Sequence, residues 1–158
     1  MTRKFAHIRS GVTKSNRRIR FRYYHSLTSL FPNKQNHLTL NGNFHVYGSI
    51  CADLQSREYQ VEFRCHGREI DVLLRGLHFS EDEFANMPHI YADKSSVSKQ
   101  TLCLCLYRNK CKRVEYDFGA DLKTTIIPWT QEWIYFYEIF LITGKWFGNG
   151  EHPDKESK

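Results

Sequence analysis

The sequence lacks the long apolar segments and regularly spaced cysteines that would place it in a membrane or in an oxidising compartment. No apolar run reaches the roughly 20 residues of a membrane span. Residues 1–11 lack the apolar core of a secretory signal. The five cysteines are an odd number without a regular spacing, which favours reduced thiols over disulfides. We therefore expect a cytoplasmic protein that has no membrane partner.

Acidic residues are absent from the first third of the chain. Residues 1–52 contain nine Lys or Arg and no Asp or Glu, whereas the remainder contains 14 basic and 17 acidic residues. The net charge of +6 is thus concentrated near the N-terminus. This pattern favours an anionic partner, either nucleic acid or an acidic protein surface, but a solvated helix face produces it as well.

Several catalytic signatures are also missing. The sequence has no Gly-rich phosphate loop, no Ser-His-Asp arrangement and no pair of catalytic carboxylates that we can identify. Cys103, Cys105 and Cys111 are spaced as C-x-C-x5-C, which matches no familiar zinc site, and no paired histidines accompany them. We expect neither a metal nor a cofactor.

The residues that are present describe a globular protein rich in aromatic rings. With 158 residues, of which 41% are hydrophobic and 15% aromatic, the chain is long enough for one domain with a substantial core. We predict a single domain over residues 1–158, in which residues 154–158 are a frayed tail.

A helix is predicted within the basic third. Residues 1–14 show no clear period and are predicted to form a basic arm, after which Ser15 or Asn16 can cap a helix. Pro32 predicts its end. Its apolar stripe recurs every four residues, at Ile19, Tyr23, Leu27 and Phe31.

Four short segments of alternating or β-prone residues follow, at residues 38–40, 44–47, 59–65 and 70–74. Asn41-Gly42, between the first two, predicts a hairpin with a type I′ turn. Short connections between all four predict an antiparallel meander with one face free for a helix.

The second half of the chain alternates irregular segments with two regular elements. Residues 76–100 show little pattern apart from a turn that Ser80 can cap, and we interpret this long loop as functional. Residues 101–107 (T-L-C-L-C-L-Y) predict a strand. Pro128 opens an aromatic helix that Gly144 ends. The order of elements predicts an α+β fold.

Two cysteines of the predicted strand are the candidate reactive groups. Cys103 and Cys105 lie two residues apart, so a regular strand points both to the same face. Buried core cysteines give this pattern too, since free cysteine is among the most buried residue types. The alternative is a nucleophile, whose pKa flanking leucines would raise and nearby basic residues would lower. His89 and His152 are candidate proton carriers, because imidazole titrates near neutral pH.

The order of elements and a set of short motifs resemble the ubiquitin-conjugating fold, and more narrowly the stand-alone bacterial ubiquitin-conjugating-like proteins of anti-phage CBASS operons. The resemblance covers roughly residues 30–153 and is specific when its motifs are taken together. The principal matching segments are Phe31-Pro32, Pro88-His89-Ile90-Tyr91, Leu104-Cys105-Leu106-Tyr107, Thr125-Ile126-Ile127-Pro128-Trp129, Thr143-Gly144-Lys145-Trp146 and Gly150-Glu151-His152-Pro153.

The resemblance implies a fold and a function. The fold is ubiquitin-conjugating-like, with an N-terminal helix, a four-stranded antiparallel meander, an active-site loop and strand, and a C-terminal helix. Such proteins are acyltransferases that hold the C-terminus of a cGAS-like nucleotidyltransferase (CD-NTase) as a cysteine thioester. They then pass it to a lysine of a target protein, which regulates cyclic-nucleotide signalling in antiviral defence.

The resemblance also implies roles for individual residues. The Leu-Cys-Leu-Tyr motif falls on Cys105, the expected nucleophile, and the duplicated Leu-Cys leaves Cys103 as the second candidate. His89 falls on the histidine of the Pro-His loop and is a candidate base, and His152 is expected near the same cleft. Eukaryotic ubiquitin-conjugating enzymes carry His-Pro-Asn, whose asparagine helps to stabilise the oxyanion, whereas Ile90 follows His89 here. Backbone N–H groups or another side chain are then expected to serve as the oxyanion donor.

Two other functions remain open on the sequence alone. The first is a non-catalytic adaptor of the same fold, which would bind an acidic partner through the basic N-terminal third. The second is a nucleic-acid-binding module, whose affinity would fall steeply with salt. The resemblance argues against a nucleic-acid partner.

Overall fold

The computed structural model describes residues 2–108 and 115–148, and the side chains of residues 15–108 and 115–148. His152, Cys111 and the tail predicted at residues 154–158 therefore lie outside the described residues. In chain order the elements are α1 (Thr2–Leu30), β1 (His37–Leu38), β2 (Phe44–Ile50), β3 (Tyr59–His66), β4 (Glu69–Arg75), α2 (Glu81–Ala85), a single 3-10 turn (Ala92–Lys94), β5 (Leu102–Cys103) and α3 (Ile126–Thr143).

The predicted α+β fold and antiparallel meander are confirmed. The five strands lie in the order β1-β2-β3-β4-β5, and each neighbouring pair is antiparallel. The cysteine segment adds the fifth strand, at the edge beside β4, where Cys103 pairs with Leu73 and Leu102 with Leu74. That strand spans Leu102–Cys103 and is therefore shorter than the predicted residues 101–107.

The N-terminal helix begins earlier than predicted. The sequence indicated a start near Ser15 or Asn16, whereas α1 is helical from Thr2. No proline interrupts residues 2–30, and Lys and Arg are good helix formers, so the backbone is helical over residues 2–14 although these residues have no apolar stripe. The assignment of residues 1–14 to a basic arm stays a prediction, since their side chains lie outside the described part of the chain. The predicted end, just before Pro32, is confirmed.

The hairpin predicted at Asn41-Gly42 is confirmed, but its type I′ turn is wrong. Leu38 pairs with Phe44, which leaves five loop residues, too many for a two-residue turn. The amide of Gly42 donates to the carbonyl of Thr39 at 2.9 Å. Gly42 has a φ of +82°, and Asn41 does not share that left-handed conformation. The loop is therefore an ordinary turn followed by a left-handed glycine.

The helices pack against one face of the sheet. The core cluster joins Tyr23 and Leu27 of α1 with Trp133 and Ile134 of α3, all 4% exposed or less. The strands contribute the alternate residues predicted to point inward, among them Phe44, Val46, Val61, Phe63, Val72 and Leu74. The aromatic helix ends as predicted at Gly144, whose φ is +70° and whose amide donates to the Phe140 carbonyl at 2.8 Å.

One arginine of the basic helix is part of the fold. Arg20 is only 7% exposed. Its guanidinium donates to the carbonyl of Asn41 through Nε and Nη2, at 3.1 and 2.7 Å, and to the carbonyl of Gly67 through Nη1 at 2.9 Å. Arg20 thus ties α1 to two turns of the sheet, and its charge is not available to an anionic partner.

A buried carboxylate on the opposite face of the sheet makes stability depend on pH. Burial alone raises the pKa of Glu62, but the hydrogen bond from His45 at 2.7 Å and the nearby Arg64 guanidinium reverse this and lower it. A group with a lowered pKa in the folded state stabilises the fold above its ordinary pKa, and that contribution disappears as the pH falls through the folded value.

We expect Glu62→Gln to remove this dependence. Urea denaturation of the wild type should show a loss of stability below about pH 4.5, where carboxylates take up protons. The variant should be less stable at pH 7 and should lose less on acidification, because no charge at this position remains to be neutralised. Glu58→Gln, a substitution on the adjacent loop, is the control. Parallel pH profiles for wild type and Glu62→Gln would contradict the assignment.

Candidate active site

The cysteine segment is held between β4 and the Pro-His loop. On one side, the Leu104 amide donates to the Val72 carbonyl at 2.8 Å. On the other side, Ile90 and Leu104 form an antiparallel bridge, in which the Tyr91 amide donates to the Cys103 carbonyl and the Cys105 amide to the His89 carbonyl, both at 2.9 Å. Ile90 and Leu104 are buried in the core. Since successive residues alternate between faces, the neighbours of this pair point to the other face.

The two candidate nucleophiles differ in exposure. Cys103 is fully buried, and burial raises the pKa of its thiol to about 12. The hydroxyl of Ser95 accepts from the Cys103 amide at 2.8 Å, so the segment that follows the Pro-His loop packs against this residue. Cys105 is only partly buried. Of the two cysteines, only Cys105 is reached by solvent.

The environment of Cys105 contains opposing influences on its thiol. Burial raises its pKa, and this effect outweighs a hydrogen bond with Tyr91 and the positive charge of Arg108, which both lower it. The carboxylate of Glu115 adds to the increase. Cys105 therefore carries its proton at neutral pH and loses it more readily than Cys103 does.

His89 contacts Cys105 through a backbone hydrogen bond. Its carbonyl accepts from the Cys105 amide and also from the indole Nε1 of Trp133, at 2.8 Å. Its φ of +51° is unusual for a residue other than glycine. The imidazole is 6% exposed and packs on the ring of Trp146, with 4.9 Å between the ring centroids. The Pro-His loop and the cysteine segment are thus brought together, and the ring of His89 lies against aromatic side chains.

Hydrogen bonds and ion pairs hold the predicted irregular loop, residues 76–100, in place at several positions. Ser95 donates to the Tyr91 carbonyl at 2.7 Å, and Gln100 bonds to the backbone of Phe79 and Val97. Lys94 forms ion pairs with Asp71 at 3.0 Å and with Glu69 at 3.3 Å. These contacts hold the 3-10 turn Ala92–Lys94 over the sheet, beside the cysteine segment.

A cavity of about 380 Å³ lies beside the cysteine segment and is lined in part by Leu104 and Leu106. Its apolar wall includes Leu106, Tyr91 and Tyr107, and its charged wall includes Lys94 and Arg108. Tyr91 also makes the hydrogen bond with Cys105. Sequence reasoning placed Tyr91 in a motif without giving it a role. The sequence feature that could have indicated a role for Tyr91 is its position, one residue after Ile90 in a loop that pairs with the cysteine segment.

The fold and this arrangement define a ubiquitin-conjugating (E2)-like protein. A model of the family described as type II CBASS E2 protein matches residues 24–153. The chain belongs to this family, and its context is CBASS antiviral defence. Comparison with curated proteins finds no match. Among the described residues, no helix combines the length and the apolarity needed to cross a membrane.

Proposed function

We propose that Cys105 accepts the C-terminus of a cGAS-like nucleotidyltransferase as a thioester and passes it to a lysine of a target protein. In the first step the Cys105 thiol gives its proton to solvent or a base, its sulfur bonds to the activated C-terminal carbonyl carbon, and the activating group departs. In the second step the lysine nitrogen attacks that carbon, the C–S bond breaks and the thiol is restored. The covalent intermediate divides a difficult acyl transfer into two easier steps.

The observation that carries this proposal is the contrast between the two cysteines. Cys103 has no exposed surface, and burial raises the pKa of its thiol to about 12, so it offers neither access nor a thiolate. Cys105 is partly exposed, and its chain neighbours Leu104 and Leu106 line a cavity of about 380 Å³. We therefore retain Cys105 as the nucleophile and Cys103 as its buried neighbour.

The second step also needs a proton carrier. The lysine amine must lose a proton before or during its attack. His89 adjoins Cys105 in the chain pairing and is our candidate base, and His152 is proposed for the same cleft. Ile90 follows His89 where a His-Pro-Asn motif would continue, so we expect the oxyanion donor to be a backbone amide or another side chain.

The experiment is intact mass spectrometry without reductant, after mixing the protein with the nucleotidyltransferase of its operon and an activating enzyme. We expect an increase in mass equal to the acyl group, located on Cys105 by peptide mapping and released by hydroxylamine or thiols. Binding of the nucleotidyltransferase with no adduct at any time would instead support a non-catalytic adaptor. Absence of both binding and adduct would refute the proposal.

A further inference from the structure

Tyr91 and Cys105 are neighbours across the short ladder at the site. Because Ile90 pairs with Leu104, Tyr91 lies opposite Cys103 and diagonally opposite Cys105, on the same face. Diagonal neighbours in an antiparallel pair lie about 7–8 Å apart, within reach of an aromatic side chain. The ladder therefore places Tyr91 and Cys105 within side-chain reach of each other.

The phenol of Tyr91 is fixed along that diagonal. At one end its backbone amide donates to the Cys103 carbonyl at 2.9 Å. At the other end its hydroxyl donates to the Tyr107 carbonyl at 2.5 Å. The ring thus runs past Cys105, from the Cys103 carbonyl to the Tyr107 carbonyl, and a hydrogen bond with Tyr91 lowers the pKa of the Cys105 thiol.

We propose that the Tyr91 hydroxyl donates a hydrogen bond to the Cys105 sulfur when that sulfur is negatively charged, and so acts as a catalytic residue of the transfer. The inference rests on the proposed function for its catalytic meaning. When the amine attacks the thioester, the C–S bond breaks and its electron pair moves to sulfur. A donor aimed at sulfur stabilises that leaving thiolate, and equally the thiolate that attacks in the first step.

The hydroxyl has one proton, so the two acceptors compete for it. While Cys105 is a thiol, the proton is directed to the neutral carbonyl of Tyr107. A thiolate is a charged acceptor, and hydrogen bonds to charged groups are stronger than those to neutral ones. Rotation of the O–H about the ring bond then turns the proton to sulfur without moving the ring.

Tyr91 is suited to donating and not to acting as a base. Burial raises the pKa of its phenol, and the neighbouring Cys105 raises it further, so the hydroxyl keeps its proton throughout the neutral range. The titratable or charged groups around Cys105 are His89, Cys103, Tyr107, Arg108 and Glu115, and those that line the cavity with Tyr91 include Arg68, Glu69, Asp71, Asp93 and Lys94.

The test is the pH dependence of Cys105 alkylation by iodoacetamide, followed by peptide mapping, in wild type, Tyr91→Phe and Tyr107→Phe. Only the thiolate reacts, so the profile reports the thiol pKa. Tyr107→Phe is the matched control, because its hydroxyl bonds to the backbone of Ile70 instead of to sulfur. In Tyr91→Phe we expect the midpoint of the Cys105 alkylation profile to rise by about one pH unit, which makes the reaction roughly tenfold slower at neutral pH. In Tyr107→Phe we expect the midpoint to stay unchanged.

Alkylation of Cys103 in the same samples reports whether each variant is folded, since this thiol is buried and should react slowly. A second variant, 3-fluorotyrosine at position 91, keeps the shape of the ring and makes the hydroxyl a stronger donor, so it should shift the Cys105 midpoint downward. Unchanged midpoints in both variants would overturn the role of Tyr91, even if the wild type forms adducts. A shifted midpoint in a protein that forms no adduct would support the hydrogen bond and refute the conjugation.

Discussion

Replacing Cys105 with alanine is expected to abolish the covalent adduct, whereas Cys103→Ala should retain it. A carbon side chain cannot form a thioester, and loss of the nucleophile in enzymes of this kind costs at least about a thousandfold in rate. Cys103 has no exposed surface, so its replacement should act through packing alone, with a loss of stability of about 1 kcal/mol. The measurement is non-reducing mass spectrometry of each variant after the same incubation.

The Cys105→Ser variant tests directly whether the acyl group is attached at position 105. An oxygen nucleophile would leave an ester that resists thiol reductants, so an adduct that survives reductant in the serine variant locates the acyl group directly. Folding of all three variants is checked by urea denaturation. If Cys103→Ala folds and loses the adduct while Cys105→Ala keeps it, the motif has been aligned one Leu-Cys repeat too late.

Trp133→Ala should produce the largest loss of stability in the site. The indole is 4% exposed, stacks on Tyr137 with 5.1 Å between centroids and contacts Trp146 at 5.4 Å. Truncation of a buried tryptophan costs about 3–5 kcal/mol. The same side chain donates to the His89 carbonyl, so the variant should also loosen the Pro-His loop against Cys105 and increase the rate at which Cys103 is alkylated.

Trp133→Phe separates the hydrogen bond from the packing. It retains an aromatic ring but removes one of the two donors to the buried His89 carbonyl, which keeps the Cys105 amide, at a cost of about 0.5–1.5 kcal/mol for the lost hydrogen bond. Trp129→Phe is the matched control, since the Trp129 ring packs edge-on against Tyr116 away from the loop. Equal denaturation midpoints for the two phenylalanine variants would show that the bond to His89 contributes nothing to stability.

Much of the fold follows from local patterns in the sequence. The stripe containing Tyr23 and Leu27 and the alternation in β3 predict buried faces, because periods of about four and two are characteristic of helix and strand. Gly144 ends α3 through its left-handed backbone, which glycine adopts without strain. A prediction from the sequence failed where one local pattern is compatible with several structures, as with Asn41-Gly42, which fits more than one hairpin loop.

The difference between the two cysteines could not be predicted in the same way. A period of two places Cys103 and Cys105 on one face and gives them equal status. Their exposure differs because Ser95 and the turn before it pack against Cys103. The spacing of residues along the strand cannot predict such a contact, since the contact depends on how the loop folds. The position of Tyr91 beside Cys105 depends likewise on the pairing of Ile90 with Leu104. Sequence motifs indicated which segments form the site, and tertiary pairing decided which side chains meet there.

The ion pairs of Lys94 have a consequence for an enzyme that transfers acyl groups to amines. Burial alone lowers the pKa of Lys94, but Asp71 and Glu69 reverse this and raise it above its ordinary value. The Lys94 amine, on the wall of the cavity that Leu104 and Leu106 also line, is therefore held as an ammonium ion, which has no free electron pair with which to attack a carbonyl. Under the proposed mechanism, two carboxylates on β4 protect the protein from self-modification while its thioester waits for an external lysine.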